Sequence, residues 1–175
     1  MKDEIYDIID ENDKVIGKGT WKYVHSLGLL HQTVAGFVFE GQNRNNVLLQ
    51  KRSHTMIQDP DKFTLSVGGH ILIGETPVET IYKELEEELI GKNIDRDAIQ
   101  LNNIGIVDVE DIPGNHEHLH FYEIFYGGTF VTDPKEVSFI EWLKWEDLME
   151  LYTKQPEKFT RVFKICLDFY LSHRS

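Results

Sequence analysis

Glu84, Glu87 and Glu88 are the side chains whose type and spacing point most directly to chemistry. At 3.6 residues per turn they fall within an arc of about 100° on one helix. Carboxylates held this close repel one another at neutral pH, and a divalent cation relieves the repulsion. Hard oxygen donors suit Mg²⁺ or Mn²⁺. The helix that would carry them has a defined start. Thr76 precedes Pro77, and Glu79 follows Thr76 by three, which is a capping box with proline in the first turn. Val78, Tyr82, Leu85 and Leu89 recur at helical spacing as the expected core-facing stripe, with Ile81 at its edge. The bland alternative is a solvated acidic helix face.

The surrounding elements read as mixed α and β. Residues 4–10 and 14–17 suggest a hairpin around Glu11-Asn12-Asp13, and 20–29 is ambiguous, an irregular helical turn leading to His31. Thr33–Glu40 and Asn46–Lys51 are β-rich runs separated by a strong turn signal, GQNRN. Phe63–Leu72 is extended and crosses Gly68-Gly69, where the backbone is expected to approach something closely. After the capped helix, Leu101–Val109, His118–Gly127 and Phe139–Trp145 read as strands and Trp145–Tyr152 as a short helix. Phe159, Val162, Phe163, Cys166, Phe169 and Tyr170 keep helical spacing, so a final helix is expected over 156–172 with Pro156 in its first turn. No repeat or linker divides the chain, and one domain over 1–175 is the expectation. The pattern indicates an α/β sandwich.

A chain of 175 residues, 41% hydrophobic and 27% charged, is large enough to bury a core without disulfides, and a lone Cys166 cannot form one internally. A formal charge of −12 argues against nucleic-acid polymers and anionic membranes as partners. Small phosphorylated molecules remain compatible where cations supply local positive charge. The start MKDEIYDIID lacks signal-peptide features and no apolar run is long enough to span a bilayer, so a cytoplasmic location is expected.

The order of residues over 69–91 resembles the Nudix box: Gly69, Glu75, Glu84, Leu85, Glu87 and Glu88 fall on that pattern at its intervals. Two positions depart from it. Lys83 stands where arginine is usual, keeping the charge but losing the planar fork. Ile90 replaces the box glycine, and Gly91 comes one residue late, which implies a helix end displaced by about one residue. The resemblance implies a Nudix-type α/β/α sandwich with a mixed central sheet, the box forming loop-helix-loop. It implies cation ligation by Glu84, Glu87, Glu88 and the Gly69 backbone, with Glu75 and Lys83 paired structurally. It also implies hydrolysis of a nucleoside diphosphate linked to another moiety.

Beyond the box, YDIIDENDKVIGKGT, VHSLGLLHQTVAGFVF, LLQKR, SVGGH and EKFTRVFKICL resemble the isopentenyl-diphosphate isomerase-like branch of Nudix proteins. In the isomerase a cysteine precedes the Gly-His of the segment matching SVGGH; here Gly68 occupies that place and carries no proton. The isomerase's active-site glutamates align with His118 and His120. Isomerase chemistry is therefore the disfavoured alternative. His25, His31 and His70 match positions resembling the isomerase's metal-binding histidines, and His118 and His120 share one strand face. Together these five could form a second, histidine-rich metal site; the favoured expectation is that they bond backbone carbonyls or face solvent.

Lys51 and Arg52 are candidates for binding the outer phosphate, and strand alternation allows only one to face the site. Arg52 is preferred because a guanidinium binds phosphate oxygens in pairs. The general base is open among Glu87, Glu110, Asp111 and Glu117. Trp21, Tyr23, Phe63 and Tyr122 either stack on a substrate or fill the core. A phosphate-ligand sensor is a further alternative, and a homodimer through the N-terminal hairpin is conceivable.

Overall fold

The computed structural model describes residues 4–56, 58–92, 94–110 and 113–173. The N-terminal hairpin forms from β1 (Ile5–Ile9) and β2 (Val15–Thr20). The ambiguous segment is helix α1 (Trp21–Leu27). Thr20 caps it by accepting a hydrogen bond from Tyr23 N, and Gly28 closes it at φ 62°. Then come β3 (His31–Phe39), β4 (Asn46–Arg52), a short β5 (Phe63–Thr64) and β6 (Val67–His70). Helix α2 (Pro77–Glu84) follows, and after it β7 (Gln100–Val109), β8 (Glu117–Phe125) and β9 (Val137–Lys144). Helices α3 (Trp145–Lys154) and α4 (Arg161–His173) end the described chain. No helix of the described residues is long and apolar enough to cross a membrane.

Strand β3 is the hub of a mixed sheet. It runs parallel to β8, with His31 opposite Glu117, and antiparallel to β6, with Thr33 opposite His70. Single bridges tie it to β1 and β4, and β4 continues the sheet through β9. Alternation along β3 splits the core into two layers. Val34 and Val38 pack with Ile81, Leu85 and Leu89 of the acidic helix. Ala35, Phe37 and Phe39 face Phe163, Cys166 and Tyr170 of α4. A sheet covered by helices on both faces is the α/β/α arrangement expected from the sequence. Gly36 permits this crossing, since a Cβ there would stand 2.6 Å from the Tyr122 carbonyl oxygen on the parallel neighbour.

Two local expectations need correction. The stripe of α2 is centred on Ile81, Leu85 and Leu89, all fully buried, whereas Val78 is 48% exposed in the first turn. The four-residue spacing of that stripe continues through a wide, π-helical turn over Leu85–Ile90, entered where Leu85 N–H points to both the Ile81 and Tyr82 carbonyls. Such a turn inserts one residue without breaking the helix. It accounts for the late glycine: Gly91, at φ 83°, takes the terminating role. The last helix begins at Arg161, capped by Thr160 Oγ1 accepting from Phe163 N at 3.2 Å. Pro156–Lys158 is a separate 3₁₀ turn, because Phe159 between them is drawn out to bridge Phe63 and bury its ring.

Candidate active site

The capping box is present as read: Thr76 accepts from Glu79 N, and the Glu79 carboxylate accepts from Thr76 N at 3.0 Å. It anchors the helix start a few residues beyond β6, so the helix lies against Gly68-Gly69. A Cβ on Gly69 would fall 2.2 Å from Glu84 Cδ, so the glycine is what lets that carboxylate seat against the strand. The Gly68 N–H donates a hydrogen bond to Glu88. Glu84 and Glu88 are thus partly buried under the two glycines, and Glu87 is exposed beside them. Burial pushes the Glu84 carboxyl up to about 8, with the Lys83 charge opposing and the charges of Glu87 and Glu136 reinforcing. Burial, then the charges of Glu84 and Glu136, push Glu88 well above the carboxylate range. These carboxylates cannot all ionise at neutral pH without a compensating cation. Glu75 holds the preceding loop: it lies 3.4 Å from Lys83 Nζ and accepts from Leu72 N and from the Thr80 hydroxyl.

A cavity of about 210 Å³ opens beside Gly68-Gly69, lined among others by Thr33, Gln50, Arg52, Glu88, Glu117 and Glu136. Arg52 faces it, its Nε donating to the Gln58 carbonyl at 3.0 Å. Lys51 points the other way, its Nζ 5.7 Å from the Phe139 ring centroid. Among the open candidates for general base, Glu110 is exposed beyond the end of β7 and Asp111 lies outside the described residues. Glu117 is in the cavity, accepting from the Thr33 hydroxyl at 3.0 Å. Glu136 was not singled out by sequence reasoning. It sits in the loop before β9 with no motif or spacing to mark it. Tyr6 was also missed. It is buried against His70, its ring centroid 5.1 Å away, and its hydroxyl donates to Glu4.

The five histidines do not form one group. His25, His31 and His70 offer ring nitrogens all within 4.8 Å of one another. His118 and His120 are on the opposite face of β8: Glu117, not His118, is paired with His31, and side chains alternate along the strand. His118 instead bonds Asp13 at 2.6 Å from the N-terminal turn. In the three-histidine group, His31 Nδ1 lies 2.9 Å from the Leu29 carbonyl, so that nitrogen carries the hydrogen and Nε2 presents its lone pair. His31 Nε2 is buried, has no hydrogen-bond partner among the described residues, and is 4.0 Å from Glu117. Burial pulls His31 down to about 4 and His70 to about 3, so both rings are neutral at physiological pH. His31 thus bonds a backbone carbonyl as expected through one nitrogen, while its other ring nitrogen is grouped with those of His25 and His70. Three converging imidazoles, with His31 and His70 held neutral, are a donor set fit for a borderline cation such as Zn²⁺ or Mn²⁺. Trp21 packs on His25 at 4.5 Å and stays half-exposed, and Tyr23 is exposed as well. Tyr122 is buried under α2, and Phe63 packs on Phe159 in the other layer.

A mixed sheet clasped between helices, with a glutamate-rich helix entered from a glycine loop, is the α/β/α architecture of the Nudix type. The NUDIX domain matches residues 29–163, and the chain belongs to that family. It is 33% identical to an uncharacterized Nudix hydrolase of Clostridium acetobutylicum over 169 residues, covering 96% of this chain and 72% of that one. It is 29% identical to an isopentenyl-diphosphate Delta-isomerase of Serratia proteamaculans over 161 residues, covering 90% and 86%. The fold is similar to the crystal structure of DR0079 from Deinococcus radiodurans, at a TM-score of 0.67 and 24% identity, covering 86% of this chain and 90% of that one. The relatives therefore include both isomerases and Nudix hydrolases, and place the chain in the isomerase-like branch of the family.

Proposed function

We propose that this protein is a pyrophosphohydrolase that cleaves the diphosphate bond of a nucleoside diphosphate-linked or related small molecule with Mg²⁺ or Mn²⁺. The observation that carries this reading is the seating of Glu84 and Glu88 beneath Gly69 and Gly68, where burial and mutual repulsion oppose their ionisation. That donor set fits a hard divalent cation: Glu84, Glu87, Glu88 and the Gly69 carbonyl would hold it. A bound Mg²⁺ or Mn²⁺ there supplies Lewis acidity toward a phosphoryl oxygen, the attacking water and the leaving phosphate. The chain does the rest. Arg52 faces the cavity and binds an outer phosphate through its paired donors. Lys83 and Glu75 brace the loop that fixes Gly69 relative to the helix. Burial of the cavity walls keeps these charges in a medium where they act strongly.

The test is a screen of nucleotide and prenyl diphosphates with each cation, wild type against Glu87→Gln. Turnover by wild type and its loss in a variant that keeps its fold is the expected result. Equal turnover in the two would place the chemistry elsewhere, and nucleotide binding without turnover would favour the sensor.

A second reading, isopentenyl-diphosphate isomerase, is supported by the His25–His31–His70 group beside Glu117. Those residues would hold a further cation near the same cavity. Against it, Gly68 supplies no acid, and Cys166 is fully buried in the α4 layer, so it cannot act in its place. Conversion of labelled isopentenyl diphosphate to its isomer, without phosphate release, would select this reading.

A further inference from the structure

Attack of water on phosphorus needs a group that takes a proton from that water. The box carboxylates are poor choices for it. Glu84 and Glu88 are turned in beneath the glycines, and with Glu87 they are the cation's donors in the hydrolase reading above, on which this inference rests. Glu117 lines the cavity but is held by Thr33 and sits at the level of His31, on the histidine side.

A second carboxylate from outside the box helix lines the cavity. Glu136 precedes β9, and its backbone is pinned at both ends. Its carbonyl accepts from Ser53 N at 2.8 Å, and its N–H donates to the Asp133 carbonyl at 3.1 Å. The β4–β9 ladder slips beside it: Lys51 pairs with Phe139 but Arg52 pairs with Val137, so Ser138 is bulged out. The Ser138 hydroxyl seals the bulge by donating to the Lys51 and Arg52 carbonyls, at 3.1 and 3.3 Å. A bulge re-aims the neighbouring side chains, and here Arg52 and Glu136 both come to line the cavity with Glu88. The charge of Glu136 is felt at Glu84 and at Glu88, and that of Glu87 is felt at Glu136. Solvent reaches the Glu136 side chain, as it must for a group that passes protons on.

From this geometry we infer that Glu136 is the general base of the hydrolysis. Its carboxylate accepts one proton from water while the water oxygen forms its bond to phosphorus. The phosphorus–oxygen bond to the leaving phosphate breaks, and its electron pair stays on that oxygen. Glu136 then returns its proton to solvent.

The test compares wild type, Glu136→Gln and Glu88→Gln on the nucleoside diphosphate-linked compound that wild type turns over fastest, alongside Mn²⁺ affinity by calorimetry and thermal melting. Glu136→Gln is expected to lower kcat by roughly 10²- to 10⁴-fold, with KM, melting temperature and Mn²⁺ affinity each nearly unchanged. Glu88→Gln is expected to lose Mn²⁺ affinity together with activity. A fall of less than about tenfold in Glu136→Gln, with Glu88→Gln inactive, overturns the role of Glu136 and spares the hydrolase reading. Parallel loss of Mn²⁺ affinity in Glu136→Gln makes it a cation ligand and likewise overturns the assignment. A wild type that turns over no member of the panel sinks both.

Discussion

Gly69→Ala should separate activity from stability. The added methyl would lie 2.2 Å from Glu84 Cδ, 2.3 Å from Oε1 and 2.7 Å from Cγ. Carbon atoms in good contact stand about 3.5 to 4.0 Å apart, so the carboxylate must withdraw by more than about 1 Å. What moves is the end of a flexible side chain, and an off-rotamer χ costs about 0.5–1.5 kcal/mol. For a chain this long, that lowers Tm by roughly 2–4 °C per kcal/mol. The catalytic cost is larger. A displacement of about 1 Å at a reacting centre costs on the order of 10² in rate, equivalent to about 2.7 kcal/mol. Gly36→Ala is the matched control: its methyl would meet the Tyr122 carbonyl oxygen at 2.6 Å, a backbone atom inside the sheet that cannot swing aside. Overpacking of that kind costs about 1–3 kcal/mol or more. Steady-state kinetics on the best substrate and differential scanning calorimetry on both variants give the comparison. Gly69→Ala should melt close to wild type and lose at least about 10² in kcat/KM, whereas Gly36→Ala should lose stability first. A Gly69→Ala enzyme with near-normal activity would refute the placement of Glu84 at the reacting centre.

Two further outcomes follow from the charges. Glu84 is raised from 4.5 to about 8 in the cation-free fold, so between those values the folded state binds more protons than the unfolded chain. Stability of the cation-free protein should therefore fall as pH rises from about 4.5 to 8 and level off above, by up to a few kcal/mol. Saturating Mn²⁺ should remove the slope; a Tm that climbs over this interval without cation contradicts the assignment. On the far side of the sheet, buried Glu123 accepts from Arg44, from Asn102 and, at 2.6 Å, from the Tyr170 hydroxyl. Burial works against its ionisation, but these hydrogen bonds win and hold its carboxyl below the ordinary range. That stability is present above the unfolded-state pKa and is lost as pH falls through the lower folded value. Tyr170→Phe should cost about 1.5–3 kcal/mol at pH 7, less at low pH, as read by urea melts; an equal cost at both would contradict it.

Local signals carried the sequence reading furthest. The capping box at Thr76 and Glu79 and the buried stripe of the last helix depend on neighbours within a turn or two, and the structure bears both out. Two features stayed hidden because they depend on distant pairing. The wide turn at Leu85–Ile90 is a choice of hydrogen-bond partner made against the sheet, visible beforehand only as a glycine one residue late. His118 and His120 were grouped with the other histidines as one strand face, but the β3–β8 register pairs His31 with Glu117 and so puts that face on the other side of the sheet. Glu136 left no trace at all, since a loop and a bulge bring it to the cavity from outside any local pattern.

The most direct test of the central claim is a Mn²⁺ titration of wild type and of Glu84→Gln/Glu88→Gln, followed by calorimetry and by Mn²⁺ electron paramagnetic resonance. Wild type should show a site that the double variant lacks, with the variant's Tm no longer responding to Mn²⁺. Indistinguishable titrations from the two proteins would mean that the helix carboxylates do not bind the cation.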